Sequence, residues 1–323
     1  MAKELNQNFQ FDAVPNFDQI EEEEREMQKR RIATYRPDSL KIGNQISKIY
    51  VQYTGFSEGL ESMDRIFQIA KEFDMPQGLM IMGPPGVGKS SLFHYFCETL
   101  PRSTLFAPGF GCIKIRASAR PTSGQIIASL LKSYKYPFLC SSEKAAYTRK
   151  DQAIELVKLK GTRLIFIDEA HNLLRQVIRR KNEIGEPDAT VFLSELMDET
   201  KAGLVLGGSD ALDKLAEVDC YLADRISGRV KLACFAATAE WVGFLRAFAD
   251  SSKGFDLQIL HDNNQVKLLH TASLGSPRQF KKLMIEAVLI AAQAHCKSVS
   301  PEHFKQAFVL VNGRSSSRTN PYV

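Results

Sequence analysis

Gly83-Pro-Pro-Gly-Val-Gly-Lys-Ser90 decides how this chain is read. It fills every fixed position of G-x-x-x-x-G-K-[ST], directly after the apolar run Gly78-Leu-Met-Ile-Met82 and before a helical run from Ser91 to Leu100. Gly83, Gly86 and Gly88 let the backbone curl so that its N–H groups converge on phosphate at a helix N-terminus. Pro84, Pro85 and Val87 complete the loop, and Ser91 opens the helix behind it. Lys89 offers a point charge to the β and γ phosphates, and Ser90 a hydroxyl to Mg²⁺. ATP and Mg²⁺ are therefore the expected ligands.

Downstream, Leu164-Ile-Phe-Ile-Asp168-Glu169 is an apolar strand ending in two acids. Asp168 suits a magnesium held through water, and Glu169, one residue on, suits a group that orients and polarises attacking water. A glutamate there points to hydrolysis as well as binding. His171 reads equally as a polar contact at the sheet edge or as a nucleotide-sensing group.

Around these motifs short apolar runs alternate with amphipathic helices. Strands are expected at Gly78–Met82, Cys112–Ala117, Leu164–Ile167, Gly203–Leu206 and Leu232–Phe235, and helices at Gln125–Tyr134, Ala145–Lys160 and Val191–Glu199. Strands buried on both faces and separated by helices describe an α/β fold with a parallel-sheet core. After Phe235 the strand signal stops, and helices follow at Ala239–Ala249, Pro277–His295 and Pro301–Val311. The expected organisation is an N-terminal arm over 1–45, an α/β nucleotide-binding domain over 46–237, a small helical lid over 238–311 and a flexible tail over 312–323. Trp241, the one tryptophan, falls at helical spacing with Val242, Leu245 and Phe248 and belongs to the lid core.

Bulk properties agree. The 323 residues, 44% of them hydrophobic, can fill two cores. No apolar run approaches the roughly 20 residues that span a bilayer, and Met1-Ala-Lys-Glu-Leu-Asn lacks a secretion signal, so a cytoplasmic protein without membrane contact is expected. The six cysteines show no metal-ligand spacing. A net charge of +5 permits nucleic-acid binding without requiring it.

In its order of parts the chain resembles the AAA+ ATPases: a P-loop, an Ile-Asp-Glu strand end, a strand ending in a small polar residue, an arginine before the next strand, and an arginine opening a helical lid. The resemblance implies that Ser209 is the sensor-1 residue, that Arg278 in Gly-Ser-Pro-Arg is the lid arginine (sensor 2), and that Arg225 is an arginine finger acting on a neighbour's ATP. Arg229 is the alternative finger. Taken singly, Ser209 could cap a turn, Arg278 could be a surface charge and Arg225 could pair with Asp224. A finger acting across subunits implies a homo-oligomer, a ring or a filament.

Ile167-Asp-Glu-Ala-His-Asn-Leu-Leu174, Gly207-Gly-Ser-Asp-Ala-Leu212, Leu222-Ala-Asp-Arg-Ile226 and the lid segment Gly-Ser-Pro-Arg-Gln-Phe are similar to the TniB/TnsC transposition regulators over roughly Tyr53 to Val311. That resemblance implies an ATPase assembling on duplex DNA and linking a TniQ-like target selector to a TnsB-like, and in some systems TnsA-like, transposase, with hydrolysis resetting the assembly. Its DNA contacts would be basic and hydroxyl groups on phosphates: Arg116, Arg120, Thr122, Arg149 and Lys150, with Arg179-Arg180-Lys181 as a further set. Adenine recognition is expected before the sheet, near Ile49, Tyr50 and Val51. The alternatives are a replication loader or initiator and a protein-remodelling ATPase.

Overall fold

A computed structural model describes residues 35–100, 111–119, 121–137, 143–175 and 189–323, with Glu22 and Arg25 as isolated positions. Most of the expected arm, Arg120, the Arg179-Arg180-Lys181 set and Cys140 lie outside the described residues.

Strands β1 (Gly78–Met82), β2 (Cys112–Arg116), β3 (Leu164–Asp168), β4 (Gly203–Gly208) and β5 (Gly228–Lys231) form one parallel sheet in the order β2-β3-β4-β1-β5. The three inner strands are buried almost without break, which is why they read as continuous apolar runs. Alternate residues feed opposite faces. Met80, Ile165, Ile167 and Leu206 enter a core shared with helices α4 (Ser123–Ser133), α6 (Lys150–Leu159) and α7 (Ala189–Thr200). Ile81, Phe166 and Val205 enter a second core with α2 (Thr54–Ile69) and α3 (Lys89–Thr99), where Phe93 stacks on Phe166. Short helices α5 (Glu143–Tyr147), α8 (Leu215–Val218) and α9 (Cys220–Arg225) complete this part.

A third core lies C-terminal to the sheet, among α10 (Ala239–Asp250), α11 (Asn263–Ser273), α12 (Pro277–Gln293) and α13 (Pro301–Asn312). Trp241 is fully buried at its centre. Its Nε1 donates to the Val266 carbonyl at 3.0 Å, and its ring stacks on Phe244 and meets Phe280 edge-on.

Several expectations are corrected. The last strand is Gly228–Lys231, not Leu232–Phe235. As an edge strand it alternates exposed Arg229 and Lys231 with buried Val230, so it carries no apolar run, while Phe235 has moved into the helical core. The Ala145–Lys160 helix is two helices, Glu143–Tyr147 and Lys150–Leu159. Helix α11 carries its apolar residues too sparsely to stand out in the sequence. The arm does not extend to residue 45 as a free segment: α1 (Pro37–Ser47) packs on α12, and a Cβ at Gly43 would come within 2.8 Å of the Leu289 side chain. Nor is the tail loose. Tyr322 stacks on Phe304, Arg318 donates to the Ala272 carbonyl at 2.6 Å, and Asn320 donates to the Lys305 carbonyl at 3.0 Å.

Candidate nucleotide site

The loop after β1 sits where an open α/β sheet binds ligands, beyond the carboxyl ends of the strands. Gly83 has φ +147°, and a Cβ there would lie 2.0 Å from the Leu232 carbonyl oxygen, so the turn admits only glycine. Its N–H donates to Gly208 at the end of β4 (3.2 Å), tying the loop to the neighbouring strand. Gly88, at φ +105°, precedes α3, whose N-terminus opens onto the loop. Tyr53, packed against Phe56, Phe235 and Phe244, supports the loop from below by donating its hydroxyl to the Val87 carbonyl at 3.0 Å. Burial pushes that phenol up to about 12, so it stays a donor at neutral pH.

One small cavity gathers Gly83, Pro85, Gly86, Gly88, Lys89, Ser90, Asp168, Glu169, His171, Gly208, Ser209 and Arg278. These residues come from the P-loop, the ends of β3 and β4, and the lid. Pro84 supplies a carbonyl to the loop and Val87 is buried beneath it; Ser91 lines an adjoining cavity. Lys89 Nζ folds back onto the Gly83 and Pro84 carbonyls at 2.6 and 2.9 Å, and burial lowers its pKa. Ser90 Oγ donates to Asp168 Oδ2 at 2.8 Å, and Lys114 Nζ reaches the same oxygen at 2.8 Å. Burial pushes the Asp168 carboxyl up, but the bonds from Lys114 and Ser90 outweigh it and hold the group below the usual carboxylate range.

Glu169 adopts a left-handed backbone conformation, φ +56°, which turns its side chain away from the strand axis; its carboxylate lies 3.6 Å from His171 Nε2. Ser209 precedes a 3-10 turn at Asp210–Lys214, yet its hydroxyl does not cap that turn. Arg278, in the first turn of α12, donates its backbone N–H to the Gly86 carbonyl at 3.1 Å, so the lid is docked directly on the P-loop.

Ile49, Tyr50 and Val51 line the adjoining cavity of about 230 Å³, closed from the other side by Gly86, Gly88, Pro277 and Arg278. Lys281 clasps this cavity. Its ammonium donates to the Ile49 carbonyl at 2.8 Å and lies 4.8 Å from the Tyr50 ring centre. Sequence reasoning passed over Lys114, Lys281 and Tyr53, because each acts through a partner distant in the chain.

The remaining candidates lie elsewhere. Both Asp198 oxygens hold Arg225, Nε at 3.1 Å and Nη2 at 2.8 Å, and Nη1 donates to the Tyr221 carbonyl; its partner is Asp198 rather than Asp224. Arg229 is 3.7 Å from Asp213 and more exposed. Of the DNA candidates, Thr122 caps α4 by accepting from the Gln125 N–H, Lys150 pairs with Glu195, and Arg149 lies over the Tyr136 ring. Arg116 is exposed at the end of β2. Among the described residues no group of three or more His, Cys, Asp or Glu is placed to hold a metal, and no helix is long and apolar enough to cross a membrane.

A parallel sheet with the P-loop after β1, the acid pair after β3, a polar residue after β4 and a helical lid bearing Arg278 defines an AAA+ ATPase. More narrowly, the chain belongs to the TniB family: the model of bacterial TniB protein matches residues 41–232, more than half of its length. Among solved structures it is similar to the Aeropyrum pernix ORC1 protein in complex with DNA (19% identity, TM-score 0.61, covering 84% of this chain and 69% of that one). It is also similar to Cdc6p from Pyrobaculum aerophilum (16%, 0.57, 85% and 71%) and to Drosophila ORC bound to DNA (15%, 0.56, 90% and 74%). At these identities the likeness is one of fold. A search of the curated proteins finds no match.

Proposed function

We propose that this chain is a magnesium-dependent ATPase that assembles as a ring or filament on duplex DNA and regulates transposition, linking a TniQ-like selector to a TnsB-like transposase, with hydrolysis resetting the assembly. The observation that carries the reading is the convergence of Lys89, Ser90, Asp168, Glu169, Ser209 and Arg278 on one cavity. Family membership supplies the link to transposition. The ORC structures in complex with DNA share this fold, which is consistent with duplex DNA as the partner.

The residues fit a magnesium ion: the Ser90 hydroxyl and the Asp168 carboxylate, both hard oxygen donors, lie 2.8 Å apart, the serine to hold the ion and the aspartate to hold it through water. Held by Ser90 and Asp168, magnesium would supply neutralisation of the charge that develops on the phosphates. Lys89 would leave its carbonyls for the β and γ phosphates. Glu169 would accept a proton from the attacking water, Ser209 would hold that water, and Arg278 would report the γ-phosphate to the lid. Ile49, Tyr50 and Val51 would hold the adenine.

Replacing Glu169 with Gln keeps the shape and removes the base. ATP binding should persist while turnover falls by about 100-fold or more. Undiminished turnover in E169Q removes Glu169 from its role.

A further inference from the structure

Among the described residues Lys114 is the one cation in contact with the carboxylate assigned to magnesium, and the P-loop motif does not include it. It projects from the edge strand β2 across the face of Phe166, 5.6 Å from the ring centre, and ends 2.8 Å from Asp168 Oδ2. Ser90 donates to that same oxygen, and the Glu169 N–H occupies Oδ1 at 3.0 Å. Three of the roughly four acceptor positions of this carboxylate are therefore taken by the protein itself.

We infer that the Lys114 ammonium is a resident counter-ion of Asp168 that competes with magnesium for the charge of this carboxylate and gives way when the metal–nucleotide complex enters. This rests on the ATPase reading above. A divalent ion held by Ser90 and, through water, by Asp168 would lie near this ammonium, and two like charges within a few ångströms repel in a half-buried site. The side chain has somewhere to go. It lines a third cavity, together with Tyr50, Ser91, Phe93, His94, Cys97 and Cys112. The Lys114 side chain is 40% exposed, so the move costs little packing.

The exchange makes Lys114 a positioning residue with two consequences. Its bond at 2.8 Å fixes Asp168 Oδ2 beside the Ser90 hydroxyl, so the carboxylate does not have to reorient when the metal–nucleotide complex enters. It also weakens the site for metal alone, because the incoming ion competes with a tethered charge.

The test is an equilibrium titration of Mg²⁺ at fixed fluorescent ADP, followed by nucleotide fluorescence and hence independent of turnover, on wild type, K114M, K114R and D168N. The half-saturating Mg²⁺ concentration should fall by roughly threefold or more in K114M. It should stay near wild type in K114R, which keeps the charge. A K114M midpoint that is unchanged or raised overturns the inference. K114Q, which is polar and of similar length, gives the same reading if K114M does not fold. D168N separates the two claims: if it responds to Mg²⁺ as wild type does, the assignment of the metal site itself fails, whatever Lys114 does.

Discussion

Arg225 carries the question that single side chains pose most sharply. In the isolated chain its guanidinium is clamped by Asp198, but the pair is partly exposed, 28% for the arginine and 47% for the aspartate. Such surface pairs are worth about 1 kcal/mol or less. A triphosphate on an adjoining subunit can therefore outcompete Asp198 at small cost, and the clamp is compatible with a finger that engages only on assembly. R225A should lower turnover by roughly 1,000-fold or more while sparing ATP affinity, and mixing it with K89A should recover part of the activity, since each lesion then falls in a different half-site. The hydrolysis rate of the mixture checks this. If R229A and not R225A shows that behaviour, the finger is Arg229. The P-loop and the acids needed no structure to find, because their chemistry is local: fixed spacing after a strand. Lys114, Lys281 and Asp198 could not be read, because each meets its partner across a strand or a helix and leaves no spacing in the chain.

Among the secondary elements, the lid has the clearest mechanical role. Its core is aromatic, with Trp241, Phe244 and Phe280 in mutual ring contact, and Arg278 sits directly on the Gly86 carbonyl. Truncating Trp241 to Ala removes that packing and the indole donor at once. It should cost about 3–5 kcal/mol of stability, as large buried aromatics do, and weaken ATP binding through the displaced α12. Denaturant unfolding with and without ATP measures both effects; an unfolding midpoint equal to wild type would show that the lid core does not govern the stability of the chain. Sequence reading recovered the three inner strands because they are buried on both faces. It misplaced β5 because an edge strand alternates, and took the tail as free because a serine-rich stretch hides the one ring, Tyr322, that anchors it on Phe304. Likewise α1 reads as part of a charged arm, and only Gly43 against Leu289 reveals how closely it docks.

For the whole molecule, the proposed function makes oligomeric state the output of the nucleotide site. On the proposed function, an arginine supplied by a neighbour would give hydrolysis a subunit boundary, and a basic chain assembling on DNA would do so by neutralising phosphates. Arg116 remains the described candidate for that surface, since Thr122, Arg149 and Lys150 are engaged within the chain. The exposed side chains Tyr221 and Val191 lie on α9 and α7, the helices that also carry Arg225 and Asp198, and give a subunit contact some apolar area.

The measurement that tests this most directly is sedimentation velocity of the purified protein with ATP, with and without duplex DNA, at low and high salt. Large assemblies that require ATP and DNA together, dissolve as salt rises and persist in E169Q are the predicted result. A protein that oligomerises with ATP yet ignores DNA at every salt concentration would contradict the transposition reading and leave an AAA+ ATPase that acts on protein.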